Sequence, residues 1–168
     1  FNVAKQIPGK EEFYQTLRYY SRQLTLLGVT LRLGETVTAR QLTGYDEVIL
    51  SCGISPRLPD ITGIDHPSVL TYLDVLRDKK PVGQRVAIIG AGGIGFDTAE
   101  YLVHKGVSSS LSTRAFSHEW GIDQSLRHRG GLAPQGPQPE PAAREIVLLQ
   151  RKTTKVGAGL GKTTGWIH

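Results

Sequence analysis

The 168-residue chain is 39% hydrophobic and 21% charged, a balance that fits a folded globular protein and excludes a disordered one. Twenty Lys and Arg against 15 Asp and Glu leave a net charge of +5. These basic residues are scattered among acids without a dense run, so nucleic acid has no support as a partner, while a phosphate-bearing small molecule suits the balance. No apolar run approaches a membrane span, and no signal segment opens the chain. The single Cys52 excludes an internal disulfide and a cysteine-only zinc or iron–sulfur site. It reads as a small half-buried residue at a strand end in a reducing, cytoplasmic setting. The abrupt opening "FNVAKQIPGK" and ending "GWIH" read as a piece of a longer protein.

Residues 11–28 predict a helix, with Phe13, Leu17, Tyr20, Leu24 and Leu27 at three- and four-residue spacing and Gly28 as a stop. "VTLRL" alternates as a half-buried strand would, and "DEVILS" reads as a more buried one. "CGISPRLPDITGID" follows as an extended crossing segment enforced by Gly and Pro. A short helix is predicted near 71–78, then a turn at Pro81-Val82-Gly83. "QRVAIIG" is a continuous apolar strand, "GAGGIG" a loop, and "FDTAEYLVHKG" a helix with Ala99, Leu102 and Val103 inward. Residues 107–144 form an insertion with little periodicity, longer than the roughly 15 residues that structureless connections usually reach. Its "FSHEWGIDQSLRHRGG" leaves room for a short helix. "EIVLLQ" restores the strand rhythm before Arg151 and Lys152.

The chemistry concentrates in Gly90-Ala91-Gly92-Gly93-Ile94-Gly95. Its G-x-G-x-x-G spacing follows a strand and opens a helix, the context that gives the motif meaning. Gly90 permits the turn, Gly92 lets the backbone approach a pyrophosphate, and Gly95 lets helix and strand pack closely. The helix N-terminus then faces the phosphates. In such sites an acid at the end of the second strand holds the NAD ribose, and a cation there takes the NADP 2′-phosphate. "EIVLLQ" ends in Gln150-Arg151-Lys152 with no acid, so NADPH is expected over NADH. A P-loop around Gly161-Lys162-Thr163 fails, because it requires glycine where Val156 stands. Lys155, Lys162, Thr163 and Thr164 remain candidates to assist an anion. No metal site is expected: His118, Glu119 and Asp123 read as solvated polar residues. Trp166 reads as a packing residue more than a stacking one.

"GAGGIGFDTA" resembles the second glycine motif of two-dinucleotide flavoprotein reductases. "TVTARQLTGYDEVILSCGISPRLPDITGID" is similar to the segment that closes their FAD domain, with Ser51-Cys52-Gly53 where Ala-Thr-Gly is usual. Over nearly its whole length the chain looks like the C-terminal half of the bacterial NADPH-dependent 2,4-dienoyl-CoA reductase family, related to old yellow enzyme. "FNVAKQIPGKEEFY", "HPSVLTYLDVLRDKKPVG", "AIIGAGGIGFDTA", "EWGID" and "LLQRKTTKVGAGLGKTTGWIH" carry the likeness.

The resemblance implies an α/β fold: a Rossmann-like, parallel-sheet NADPH-binding domain at 80–168 with the insertion at about 107–144. Before it, 1–79 would be a partial FAD-binding domain and crossing segment. It implies an electron-input module, with hydride passing from NADPH to FAD. FMN, a 4Fe-4S cluster and the dienoyl-CoA substrate would belong to a barrel absent from this sequence. The fragment itself is then expected to be inactive on dienoyl-CoA and to hold FAD weakly. Gly53 and Ile54 would sit against FAD. Asp97 would lie near the nicotinamide end, or else act as a first-turn acid stabilising the helix start. Two alternatives stand beside this one: a nucleotide-binding or redox-sensing module without turnover, and the same module attached to another flavin enzyme.

Overall fold

The computed structural model describes residues 1–158 and residue 160. The chain divides into two compact units, residues 1–17 together with the chain from 70 onward, and residues 18–69.

The first unit is built on two parallel strands. β1 (Arg85–Ile89) pairs with β2 (Glu145–Leu149) in register from Arg85 opposite Glu145 to Ile89 opposite Leu149. α3 (Gly93–Val103) crosses between them with the 107–144 segment, so the two strands form a parallel α/β crossover. One face of each strand is half-buried, through Val86 and Ile88 on β1 and Ile146 and Leu148 on β2. The other face is exposed, with Ile89 at 66% and Val147 at 49%. The continuous apolar run of β1 predicts cover on both faces; among the described residues only one face has it.

The core lies beneath that covered face. Ile7 from the N-terminal arm, Val75 and Leu76 from α2 (Tyr72–Leu76), and Leu102 from α3 are buried together, with Val86, Ile88 and Ile146 against them. Each such side chain stabilises by about 1.5–3 kcal/mol when buried. The inner face of α3 is Gly95, Thr98 and Leu102, with Ala99 and Val103 half-buried. Thr98 escapes a purely apolar search because its hydroxyl donates to the Ile94 carbonyl at 2.7 Å, which satisfies it inside the helix.

α2 is only five residues long and is held by its cap. The Thr71 hydroxyl accepts from the Asp74 backbone N–H at 3.2 Å, and Asp74 accepts from the Thr71 backbone N–H at 2.8 Å. Lys80 closes on the same carboxylate at 2.5 Å. Within the insertion, α4 (Thr113–Glu119) starts at a Ser112 cap, an antiparallel bridge joins Ile122 to Leu132, and Asp123 gathers the loop behind it. The Asp123 carboxylate accepts from the backbone N–H groups of Ser125, Arg127 and His128. The return to β2 is tied to the end of α3, where Ala143 N–H donates to the Val103 carbonyl and Arg144 to that of Leu102.

α1 (Phe13–Leu26) is the predicted helix, two residues shorter at each end. Gly28 stops it with φ +66, while Gly28 N–H reaches Thr25 O and Val29 N–H reaches Leu24 O, a double-bonded left-handed terminus. None of its residues is buried. In the second unit "VTLRL" and "DEVILS" are not strands. Ile49 and Leu50 stand 90% and 81% exposed, and Cys52 is exposed, not half-buried. A strand needs a neighbour's backbone to complete its hydrogen bonds, and no described segment supplies one.

Two outcomes follow from this core and cap. Ile7→Ala should cost about 2–4 kcal/mol in urea denaturation and Ile7→Val about 1 kcal/mol; equal effects would show that the arm is not docked. The Lys80 ammonium, with Thr71, holds the Asp74 carboxyl well below its usual 3.8. Its stabilising contribution is therefore present above that value and fades as pH falls below it. Asp74→Asn should flatten the acid-side loss of stability between roughly pH 4 and 2.

Candidate functional site

The glycine loop leaves β1 at Gly90, whose φ of +120 is open to glycine and strained for a side chain. Its N–H donates to the Leu149 carbonyl at 2.8 Å, so the loop starts from the same edge at which β2 ends. Gly92 caps α3 without any side-chain hydrogen bond, and the first ladder bond is Phe96 N–H to Gly92 O at 3.1 Å. The N–H groups before Phe96 have no acceptor within the helix. They carry the positive end of an eleven-residue helix dipole.

Two sides of the loop differ sharply. A Cβ on Gly95 would lie 2.0 Å from the Gly90 carbonyl oxygen, so helix and strand touch backbone to backbone there. A Cβ on Gly90, Gly92 or Gly93 would meet nothing within 4 Å. One side of the motif is thus packing and the other is open, with unpaired donors beside it. Ala91 and Ile94 complete the turn, and Ile94 is 51% exposed. A pyrophosphate fits this donor set.

Arg151 and Lys152 follow the end of β2 by two and three residues and are exposed. Because Leu149 pairs with Ile89 and Gly90, these cations are at the carboxyl edge of the sheet, the edge that carries the loop. Neither takes part in an ion pair among the described residues. Gln150 is engaged with the Thr154 carbonyl.

Asp97 is the fifth residue of α3, and no acid occupies the first turn. The helix-start role expected of it is therefore corrected: its carboxylate is taken by Lys10, with Nζ to Oδ1 at 2.6 Å. Lys10 was not legible as a site residue. It stands 87 positions away from Asp97 in a segment with no motif, and only the docking of Ile7 places it. Gly53, with φ +78, and Ile54, 88% exposed, belong to the second unit. Lys162, Thr163, Thr164 and Trp166 lie outside the described residues. In the insertion Glu119 is bonded to the Ser109 hydroxyl and Asp123 to His128 Nδ1. Among the described residues no group of His, Cys, Asp and Glu is arranged to hold a metal.

A separate cleft of about 450 Å³ opens at the other end of α3, lined by Gln6, Lys79, Tyr101, His104 and Arg144. Its two lysines are already used, Lys79 by Gln6 and Tyr101 and Lys80 by Asp74. The open donors of the glycine loop are the better anion site.

Residues 28–115 match the sequence profile of the pyridine nucleotide-disulphide oxidoreductases, over half of the chain. The chain belongs to this family. Its members use FAD and NAD(P)H, and the α/β, Rossmann-like class expected from the sequence is the family's fold.

Bilirubin reductase of Mediterraneibacter gnavus is 35% identical over 112 residues, covering 66% of this chain and 18% of that protein. Cinnamate reductase of Clostridium sporogenes is 36% identical over 107 residues, covering 60% of this chain and 16% of that one. The chain thus spans under a fifth of the length of these two relatives. The structure of 2-naphthoyl-CoA reductase with 2-naphthoyl-CoA superposes with a TM-score of 0.56 at 21% identity, over 95% of this chain and 29% of that one. At that identity the likeness speaks for the fold. Among the described residues no helix is long and apolar enough to cross a membrane.

Gly95→Ala should destabilise the unit by at least about 1–3 kcal/mol, because a backbone carbonyl cannot step aside. Gly93→Ala, at an open helical position, should fold normally. Thermal melts of the two variants distinguish a packing glycine from a ligand-facing one.

Proposed function

We propose that the chain is the electron-input module of an NADPH-dependent 2,4-dienoyl-CoA reductase, receiving hydride from NADPH on behalf of FAD. The observation that carries the cofactor choice is the position of Arg151 and Lys152: exposed, without an ion pair among the described residues, and at the sheet edge from which the glycine loop leaves. In this reading Gly90, Ala91, Gly92, Gly93, Ile94 and Gly95 form the cradle, with backbone N–H groups donating to the pyrophosphate. The guanidinium and ammonium take the 2′-phosphate, where a carboxylate would have repelled it. Asp97 lies one turn further along α3, toward the nicotinamide end.

Bound there, NADPH would supply a hydride for FAD to accept. In this reading the chain's residues fix where the dinucleotide lies. Gly53 and Ile54 are assigned to the flavin side, and the domain limits follow as 1–79 for the FAD part and 80–168 for NADPH. The dienoyl-CoA substrate, FMN and a 4Fe-4S cluster are assigned to other parts of the full protein, and the module alone is expected to leave dienoyl-CoA unreduced. A cytoplasmic location accords with this role in oxidising unsaturated fatty acids. A second reading, the same module feeding a different reductase, is favoured by the names of the relatives, a bilirubin reductase and a cinnamate reductase.

Calorimetric titration of the chain with NADPH and NADH tests the cofactor assignment. NADPH should bind tighter, and Arg151→Ala/Lys152→Ala should reduce that preference by roughly ten- to a hundredfold, as the loss of charged hydrogen bonds predicts. Equal affinity for both nucleotides in the unaltered chain would remove the 2′-phosphate from the end of β2. Turnover of dienoyl-CoA, cinnamate and bilirubin by the full-length protein then separates the two substrate readings.

A further inference from the structure

The cleft at the far end of α3 has features that its packing does not account for. Its walls are Gln6 of the N-terminal arm, Lys79 and Lys80 ahead of β1, Tyr101 and His104 at the end of α3, and Arg144 just ahead of β2, all within the first unit. It therefore opens at the amino edge of the sheet, opposite to the glycine loop. Lys79 stands there with φ +55, a left-handed conformation that is costly for a lysine and open to glycine. The strained residue brings its ammonium to the Gln6 amide oxygen and the Tyr101 hydroxyl, which leaves one of its three N–H groups over. Arg144 uses Nη1 on the Leu102 carbonyl at 3.0 Å. Its Nε, and Nε2 of His104, are buried with no hydrogen-bond partner among the described residues.

A buried donor without an acceptor costs free energy that folded proteins seldom leave standing. Two of them on residues lining one cleft, beside a strained lysine, call for an acceptor from outside the fold. The lining has three cations, Lys79, Lys80 and Arg144, to one carboxylate, Glu11. Asp74 holds Lys80, and the Glu11 carboxylate accepts from the Ser110 hydroxyl at 2.7 Å, so Lys79 and Arg144 are the cations left to a ligand. At about 450 Å³ the cleft exceeds a bare ion and suits a small organic molecule, with Pro81 and Val82 as an apolar side. We propose that this cleft binds a small organic oxyanion, a carboxylate or phosphate monoester, whose head takes hydrogen bonds from Lys79, His104 and Arg144 while its body lies along Pro81 and Val82. The two unpartnered donors are shut off from solvent, so the head must part the walls to reach them, and satisfying them offsets that cost. The ligand would tie the arm to the strands from the side away from the glycine loop, as a second site that does not depend on the dinucleotide reading.

The test is titration of the isotope-labelled chain with butyl phosphate, butyrate and inorganic phosphate, followed through its backbone amide resonances. Butyl phosphate or butyrate should shift the amides around Lys79, His104 and Arg144 saturably, and the tighter of the two identifies the head group. Inorganic phosphate should bind at least about tenfold more weakly than butyl phosphate, because it has no body to bury. Lys79→Gly suits the left-handed backbone and should fold, yet bind the organic anion about tenfold or more weakly through the loss of a charged hydrogen bond. Arg144→Gln should weaken binding to a similar degree, which keeps the proposal testable if one variant fails to fold. Shifts confined to Gly92–Phe96 would put the anion at the glycine loop and overturn the proposal. So would the absence of a saturable shift with all three probes, inorganic phosphate binding as tightly as butyl phosphate, or unchanged binding by either variant.

Discussion

The arrangement of this protein turns on the contact between Gly95 and the Gly90 carbonyl. A Cβ at Gly95 would come within 2.0 Å of that oxygen, so α3 can lie against the end of β1 only because the side chain is absent. The contact fixes the angle at which the chain turns from strand into helix and directs the uncapped N–H groups of α3 outward from the sheet edge. Gly90 N–H, bonded to Leu149, fastens the neighbouring strand to the same turn. Phosphate donors and the cations after β2 thus share an edge for a reason of packing, before any ligand is considered.

Charge pairing sharpens that edge. Lys10 is taken by Asp97, Arg77 by Asp78 and Lys80 by Asp74. Arg85 faces Glu145 across the ladder at 3.2 Å with both side chains mostly in water, where such a pair contributes little. Arg151 and Lys152 have no such partner among the described residues. They stand at the sheet edge that carries the glycine loop.

What could be read from the sequence divides along the source of the hydrogen bonds. α1, α2 and α3 satisfy their own backbones; the helices and the Gly28 stop were visible, while the Thr71–Asp74 cap, equally local, went unread. β1 and β2 were visible because each is a dense apolar run and each has the other beside it. "VTLRL" and "DEVILS" carry the same kind of signal, yet strand formation depends on a partner that residue patterns in one segment do not contain. The strand–glycine–helix turn was legible from consecutive residues, although the helix takes in Gly93, Ile94 and Gly95 where a loop was expected, and stops at Val103. Lys10 was not, because its role arises from a long-range packing event, the burial of Ile7. The 107–144 segment hid its order for a related reason: Asp123 organises it through backbone N–H groups, which leave no apolar period to detect.

In the proposed reading the nucleotide residues and the flavin residues fall in different units. The residues assigned to NADPH all lie in the first unit, while Gly53 and Ile54, assigned to the flavin, lie in the second. Transfer requires the two rings in contact, at about 3–3.5 Å between reacting atoms, so nucleotide binding and turnover are separable properties of this chain. The first unit has a buried core, a capped crossover and an open donor set. The second carries Ile49, Leu50 and Ile54 at 90%, 81% and 88% exposure, apolar side chains left without cover among the described residues. A flavin bound at Gly53 and Ile54, as proposed, would cover Ile54. Dinucleotide affinity would then report on the first unit alone, whereas reduction of an added flavin would report on how the second is completed.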